Sequence, residues 1–254
     1  MKKGDKEFWG VRSKKYNELE WAQHQDFLKR IIELSRFDKT NIALDLGTGT
    51  GIVAHAIMPK VRSVIAIDSS NDMLEIARLK KGNIEYVQKS VTNLDNIYDC
   101  TVDRITCRYV VHHLIKNGEL QKCLKECERV LKDYGLCVIA EGVPPSKKTK
   151  KDFIKIFKIK EDRLTFTTKE LCDAMNEADF LNVQSEEMIL KQMSVKNWLE
   201  KSGLPKIKQD EIFEIHKKHY DDNDYFKADY GMTEKDGDLL INMKVCIVVG
   251  EKHV

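Results

Sequence analysis

The chain has 254 residues, enough for one large α/β domain with a lid or insert and no second domain. Its 43 basic and 41 acidic residues nearly cancel, which disfavours nucleic acid or another polyanion as a partner. No apolar run approaches the ~20 residues of a membrane span, and Met-Lys-Lys-Gly-Asp-Lys-Glu lacks the apolar core of a signal peptide, so a cytoplasmic protein is expected. Seven cysteines, at 100, 107, 123, 127, 137, 172 and 246, are scattered without Cys-x-x-Cys spacing and read as reduced structural thiols. Cys123 and Cys127 are four apart on a predicted helix but have no His or Cys partner in a ligand pattern, so no metal site is expected.

Between Phe8 and Phe37, apolar and aromatic residues recur at helical intervals, predicting one or two helices that fold over the core. Asn41 to Gly51 then reads Asn-Ile-Ala-Leu-Asp-Leu-Gly-Thr-Gly-Thr-Gly, a buried parallel strand followed by three glycines where strand turns into helix. Glycine suits a backbone that bends sharply and approaches a ligand, and the amides there and in the first turn of Ile52 to Met58 would face polar groups. A dinucleotide fingerprint, Gly-x-Gly-x-x-Gly, would need glycine where Ile52 stands. Val64 to Ile67 predicts a second buried strand ending on Asp68, whose carboxylate can accept both hydroxyls of a ribose.

Leu44-Asp45-Leu46-Gly47-Thr48-Gly49-Thr50-Gly51 followed by Val64-Ile65-Ala66-Ile67-Asp68 resembles the first two motifs of class I S-adenosylmethionine-dependent methyltransferases. The resemblance implies S-adenosylmethionine as cofactor and S-adenosylhomocysteine as its product. It places Gly47, Thr48, Gly49 and Gly51 around the amino-acid portion by backbone contact. Asp45 would orient the loop or the cofactor ammonium, and Asp68 would take the ribose hydroxyls. Trp9, Arg12, Lys15 and Tyr16 resemble the N-terminal segment of small-molecule members, where a tyrosine closes over the methionine end; otherwise Trp9 and Tyr16 only fasten a helix to the domain. Ser69 and Met73 stand where members pack on adenine, although Met73 equally suits a core. Ser90 replaces the Asp that many members use to accept from the adenine amino group, and Val91 offers its amide to a ring nitrogen.

Further along, Ser69 and Asp72 offer caps for a helix from about Met73 to Lys80, Ile84 to Val87 is a third strand, and Asp103 to Arg108 is a fourth. Arg108-Tyr109-Val110-Val111-His112-His113 resembles the Arg-x-x-x-His-His stretch of ubiquinone and menaquinone methyltransferases, which puts Arg108 and His113 near the cofactor's methyl end. Imidazole titrates near neutrality and methylation of oxygen or nitrogen releases a proton, so His112 or His113 is a candidate base. Contact with cofactor or substrate, and plain packing, stay open for both. Leu120 to Leu131 predicts a helix, Leu136 to Ala140 a fifth strand, and Ser146 to Lys151 a solvated basic linker, with a phosphate-bearing substrate or RNA as its alternative.

Thr167 and Glu170 form a capping-box pattern that opens another helix, and Phe180 to Leu190 and Leu239 to Val249 read as the last two strands. The intervening Lys191 to Asp238 carries helical patterns at Val195 to Lys201 and Gln209 to Tyr220 and is expected to be a lid over the acceptor pocket. Trp198, His216, Tyr220 and Tyr230, with Met193, His219, Tyr225 and Phe226, are candidates to line an apolar, aromatic-rich site.

The expected fold is a single doubly wound α/β domain with seven strands, six parallel and the last antiparallel. Residues 1–38 form its helical cover, 39–190 and 239–254 its core, and 191–238 its insert. The expected function is methylation of a small, apolar or aromatic metabolite at oxygen, nitrogen or carbon. A tRNA or protein methyltransferase is disfavoured by the lack of an Asn-Pro-Pro-Tyr signature after the fourth strand; a non-catalytic cofactor-binding domain is disfavoured because the glycines, Asp68 and the histidines are all present.

Overall fold

The apolar residues of Ile42–Leu46 form β1, the middle of an open sheet, with four of its five residues fully buried. A computed structural model of the chain describes Gly10 and residues 12–253; Trp9 lies outside them. β1 pairs in parallel with β2 (Ser63–Asp68) and β4 (Val102–Arg108), β2 with β3 (Ile84–Gln88), and β4 with β5 (Leu131–Gly142). β8 (Asp238–Glu251) runs antiparallel between β5 and β6 (Leu181–Ser194), giving the order β3-β2-β1-β4-β5-β8-β6. The sheet has eight strands rather than seven, because Thr233–Lys235 forms a short β7 on β8. Three residues with no apolar alternation carry no strand signature, so this edge was invisible to periodicity.

Strand order reverses between β1 and β4, and there the carboxyl ends of β1, β2 and β4 place Gly47, Asp68 and Tyr109 along one edge. Such a switch point is where open α/β sheets keep ligands.

Before the sheet, residues 12–16 are helical, and α1 (Gln25–Ser35) buries Phe27, Leu28 and Ile31. Short α2 (Ile52–Ile57) follows the glycine loop, and α3 (Asn71–Arg78) follows β2. The cap of α3 is Ser70, whose Oγ accepts from the Met73 amide at 3.4 Å, rather than Ser69 or Asp72. Ser70 is the residue in extended conformation one position before the first helical turn, which sets the cap. α4 (Glu119–Val130) buries Cys123, Leu124 and Cys127, and α6 (Thr168–Asn176) begins with the expected capping box of Thr167 and Glu170.

Between them the basic run leads into a helix rather than a linker: α5 (Lys150–Lys160) buries Phe153, Ile156 and Lys160. Beyond β6 come α7 (Val195–Glu200), α8 (Lys206–Asp221) and α9 (Tyr225–Tyr230). Phe153 and Ile156 of α5 share one apolar cluster with Val195, Leu199, Ile212 and Phe226, so α5 and the β6–β8 segment stabilise each other. The N-terminal segment joins the same body: Asn197 Oδ1 accepts from the Glu20 amide and Asn197 Nδ2 donates to the Glu18 carbonyl, each at 3.0 Å.

Candidate active site

The glycine loop after β1 is held in left-handed backbone at Gly47 (φ +61°), Gly49 (φ +55°) and Gly51 (φ +78°). At Gly47 a Cβ would come within 2.2 Å of Val110 Cγ2, whereas at Gly49 it would meet open space. Gly47 therefore permits close approach of the β4 end, and Gly49 keeps the loop face clear. Asp68, at the end of β2, receives one amide on each oxygen: Gly49 N–H donates to Oδ2 and Ser70 N–H to Oδ1, both at 2.8 Å. Burial raises the pKa of this carboxyl, and the amides of Ser70, Gly49 and Ser69 oppose it. Three amides on about four lone-pair sites leave the carboxylate room for a ligand donor.

Beneath the loop, Asp45 is buried; its Oδ1 accepts from Thr106 Oγ1 at 2.8 Å, while its Oδ2 and the nearby Thr48 Oγ1 are buried without a hydrogen-bond partner among the described residues. Burial pushes the Asp45 carboxyl up to about 6. Unsatisfied buried acceptors mark a place where a donor is missing. An open left-handed glycine turn, an orphaned acceptor and a carboxylate fixed at the neighbouring strand end fit a nucleoside that also carries an ammonium group. On the far side of the loop, Met73 and Val91 are buried, whereas Ser69 and Ser90 are exposed. Ser90 Oγ lies 2.8 Å from Thr92 Oγ1 and accepts from the Thr92 amide at 3.3 Å.

Next to this cradle is a cavity with about 1000 Å³ of empty space, counting its open mouth. Tyr16 and Trp21 of the N-terminal segment close one side, and Phe153, Phe157, Trp198 and Tyr230 of the helices close the other. Tyr16 stacks edge-on against Trp21 at 5.7 Å, Trp21 against Tyr109 at 4.8 Å, and Phe157 lies 5.4 Å from Trp198. Tyr109 leaves β4 with φ +59°, and its buried hydroxyl has no hydrogen-bond partner among the described residues. A bulky residue holds such backbone only where its surroundings fix it; here the ring is held by Trp21 and Phe27.

Polar groups gather on the floor. His112 Nδ1 lies 2.8 Å from Glu141 Oε2 and 3.0 Å from Oε1, and the His112 and His113 rings are 4.0 Å apart. Burial pushes Glu141 up to about 7, against the pull of Arg163, while burial holds both histidines well below their ordinary value. Both imidazoles are therefore neutral near pH 7 and keep a basic nitrogen. Glu161 is ion-paired to Arg12 at 3.4 Å and to Lys160. Burial alone would raise the Glu161 carboxyl, yet Lys160 and Arg12 hold it well below its usual range. Burial lowers Lys160 to about 7, opposed by Glu161. The Leu164 amide donates to the His112 carbonyl at 2.8 Å, locking this charged turn to the histidine segment.

Residues 44–139 match the family model described as a methyltransferase domain. Over 134 residues the chain is 37% identical to a demethylmenaquinone methyltransferase of Thermotoga maritima, an alignment covering 51% of this chain and 56% of that enzyme. The matched part thus spans little more than half of that relative. It is 26% identical over 213 residues to YcgJ, an uncharacterized methyltransferase of Bacillus subtilis, covering 81% of this chain and 82% of YcgJ. The crystal structure of YcgJ superposes with a TM-score of 0.77 at 23% identity, covering 91% of this chain and all of YcgJ. A Haemonchus contortus phosphoethanolamine N-methyltransferase 2 in complex with S-adenosyl-L-methionine shares the fold at a TM-score of 0.61 and 15% identity, covering 93% of this chain and 56% of that one.

Residues 44–139 are a methyltransferase domain. Within these residues the structure brings Asp45, Gly47, Thr48, Gly49, Gly51 and Asp68 together at the switch point; His112 and His113 line the adjoining cavity with Tyr16, Trp198, His216 and Tyr230 from the segments before and after.

Several residues singled out in the sequence take other places: His219, Tyr225 and Phe226 are not among those that line the cavity. Tyr220 does not line the cavity: at the end of α8 its ring lies 4.0 Å from the Lys227 ammonium and 5.4 Å from that of Lys217. His216, one turn earlier, is the residue of that helix that turns inward. Arg108 is buried, with one guanidinium nitrogen donating to the Ala22 carbonyl at 3.1 Å, so it ties the N-terminal segment to β4. Sequence reading missed Glu141 and the Lys160-Glu161-Arg163 turn. A signal was present in the spacing of Phe153, Ile156, Phe157 and Lys160, one face of a helix, but the dense lysines around it masked the pattern.

Proposed function

We propose that the chain transfers a methyl group from S-adenosylmethionine to a small, largely apolar or aromatic metabolite. Gly47 to Gly51 would carry the amino-acid portion, Asp45 its ammonium, Asp68 the ribose hydroxyls, and Ser69, Met73, Ser90 and Val91 the adenine edge. The observation that carries this reading is the aromatic cavity that opens beside the cradle, lined by His112 with Glu141 bonded behind it.

Bound S-adenosylmethionine supplies a methyl group already activated on a sulfonium. What remains for the chain is to position an acceptor and exclude water, which can provide much of the acceleration. The segment 191–238 acts as the lid, with Trp198, His216 and Tyr230 as its acceptor face. Where the acceptor atom loses a proton, His112 takes it on the imidazole nitrogen remote from Glu141, and Glu141 stabilises the resulting charge.

The test is incubation of the purified protein with S-adenosylmethionine and a fractionated small-metabolite extract, read by mass spectrometry. S-adenosylhomocysteine should form only when extract is present, with one metabolite gaining a methyl group. Methyl label found in RNA or protein instead would overturn the reading.

A further inference from the structure

The cavity holds more buried positive than negative charge. Arg12, Lys160 and Arg163 all line it, with side chains 5%, 2% and 9% exposed, and Glu161 is the carboxylate that the three share. Glu141 lies against the neutral His112 and its carboxyl also acts on Arg163, so two carboxyls stand against three basic side chains. At the mouth, Glu20 takes the Ser194 amide and Lys244 is paired with Glu187 at 2.7 Å, so neither changes the balance inside.

Arg163 is the least satisfied of the three. Its Nε donates to the Leu164 carbonyl at 3.2 Å, but its nearest carboxylate among the described residues, Glu161, stands 4.0 Å away, beyond hydrogen-bond reach. The guanidinium lies 4.3 Å from the Phe157 ring centre and 5.7 Å from that of Phe153, a face contact that leaves in-plane donors for something else. A buried cation without a full partner is costly unless an anion completes it. Burial lowers the proton affinity of both Lys160 and Arg163, and Arg12 adds to it against the pull of the nearby carboxyls.

We infer that the methyl acceptor is an organic acid: an apolar, aromatic body lying against Phe153, Phe157 and Trp198, with one oxyanion bound by Arg163 and Lys160. The inference rests on the proposed methyl transfer to a small metabolite and names its substrate class. A bidentate guanidinium–oxyanion contact would orient the body in the cavity, and the oxyanion would restore charge balance around Glu161. A carboxylate and a phosphate monoester share this chemistry, and the two are separated by the probes below.

The experiment is calorimetry of the full chain, saturated with S-adenosylhomocysteine, against 2-naphthoate, 2-naphthyl phosphate and the neutral 2-naphthamide. At least one of the two anions should bind about tenfold or more tightly than the amide. That preference should vanish in Arg163→Gln and return in part in Arg163→Lys, with S-adenosylhomocysteine affinity unchanged in both as the check on folding. Equal binding of the amide, no binding of any of the three probes, or a preference that survives Arg163→Gln overturns the inference. In parallel, the metabolite extract is split by anion exchange before incubation with S-adenosylmethionine. Methylation confined to the neutral fraction sinks the acid while leaving methyl transfer intact; an anion preference with no methyl transfer in any fraction keeps the anion site and removes the transferase reading.

Discussion

His112 Nδ1 and Glu141 Oε2 face each other at 2.8 Å, both buried, with His112 lining the cavity and Glu141 behind it. β4 and β5 are parallel and in register, Arg108 opposite Ala140; Glu141 follows on β5, and His112 stands on the short 3₁₀ turn Val111–His113 just past β4. Glu141→Gln keeps the shape and removes the charge that supports an imidazolium. It should lower kcat about 10- to 100-fold while S-adenosylhomocysteine affinity stays within about twofold, the size expected of a positioned proton acceptor and its supporting charge. Steady-state kinetics with calorimetry decides it, and an unchanged kcat would remove the pair from proton transfer.

The two buried carboxyls also set a pH dependence of stability. Asp45 rises from 3.8 to about 6 and Glu141 from 4.5 to about 7, both chiefly through burial. Their protonated forms are favoured in the folded chain, so the stabilisation is full below the ordinary carboxylate values and is lost as pH rises through 6 and 7. Thermal melts of the wild type from pH 5 to 8 should therefore fall more steeply than those of Glu141→Gln. Parallel curves would contradict the assignment.

The glycines differ in what they do, and alanine separates them. Gly47→Ala meets Val110 Cγ2 at 2.2 Å and must move β4 or the loop, so it should destabilise by several kcal/mol and be partly rescued by Val110→Ala. Gly49→Ala meets nothing, and only its φ of +55° carries a penalty, about 1–2 kcal/mol. Its larger effect should be on cofactor affinity, because the added methyl enters the clear face of the loop. Thermal melts and calorimetry on the two variants test the contrast.

On the acceptor side, Trp198→Ala should raise the acceptor KM about tenfold, the scale of losing a large aromatic contact, with little change in cofactor affinity. Tyr220→Ala should leave KM within about twofold, since that ring packs under Lys217 and Lys227 away from the cavity. Comparable effects from both would move the pocket.

Much of the frame is legible because parallel buried strands write themselves as short apolar runs and the ligand loop needs glycine. Ile42–Leu46, the three glycines and Asp68 fall where those patterns place them. The acceptor side is less legible for a physical reason. α5 is a helix whose apolar face is interrupted by Lys160, buried because Glu161 and the rings around it accept its charge, and composition alone reads such a stretch as solvated. Glu141 is likewise hidden: a glutamate ending a strand looks like an ordinary surface residue until the sheet sets it beside His112. β7 and the capping role of Ser70 depend on single backbone conformations that periodicity does not carry.

The central claim is that a sulfonium nucleoside lies over Gly47–Gly51 with its ribose on Asp68, and titration calorimetry with S-adenosylhomocysteine tests it most directly. One site per chain is expected, weakened about 10- to 100-fold in Asp68→Asn, the range for hydrogen bonds to a charged group, with no heat from NAD or FAD. Saturable binding of a nicotinamide or flavin dinucleotide and none of S-adenosylhomocysteine would contradict it.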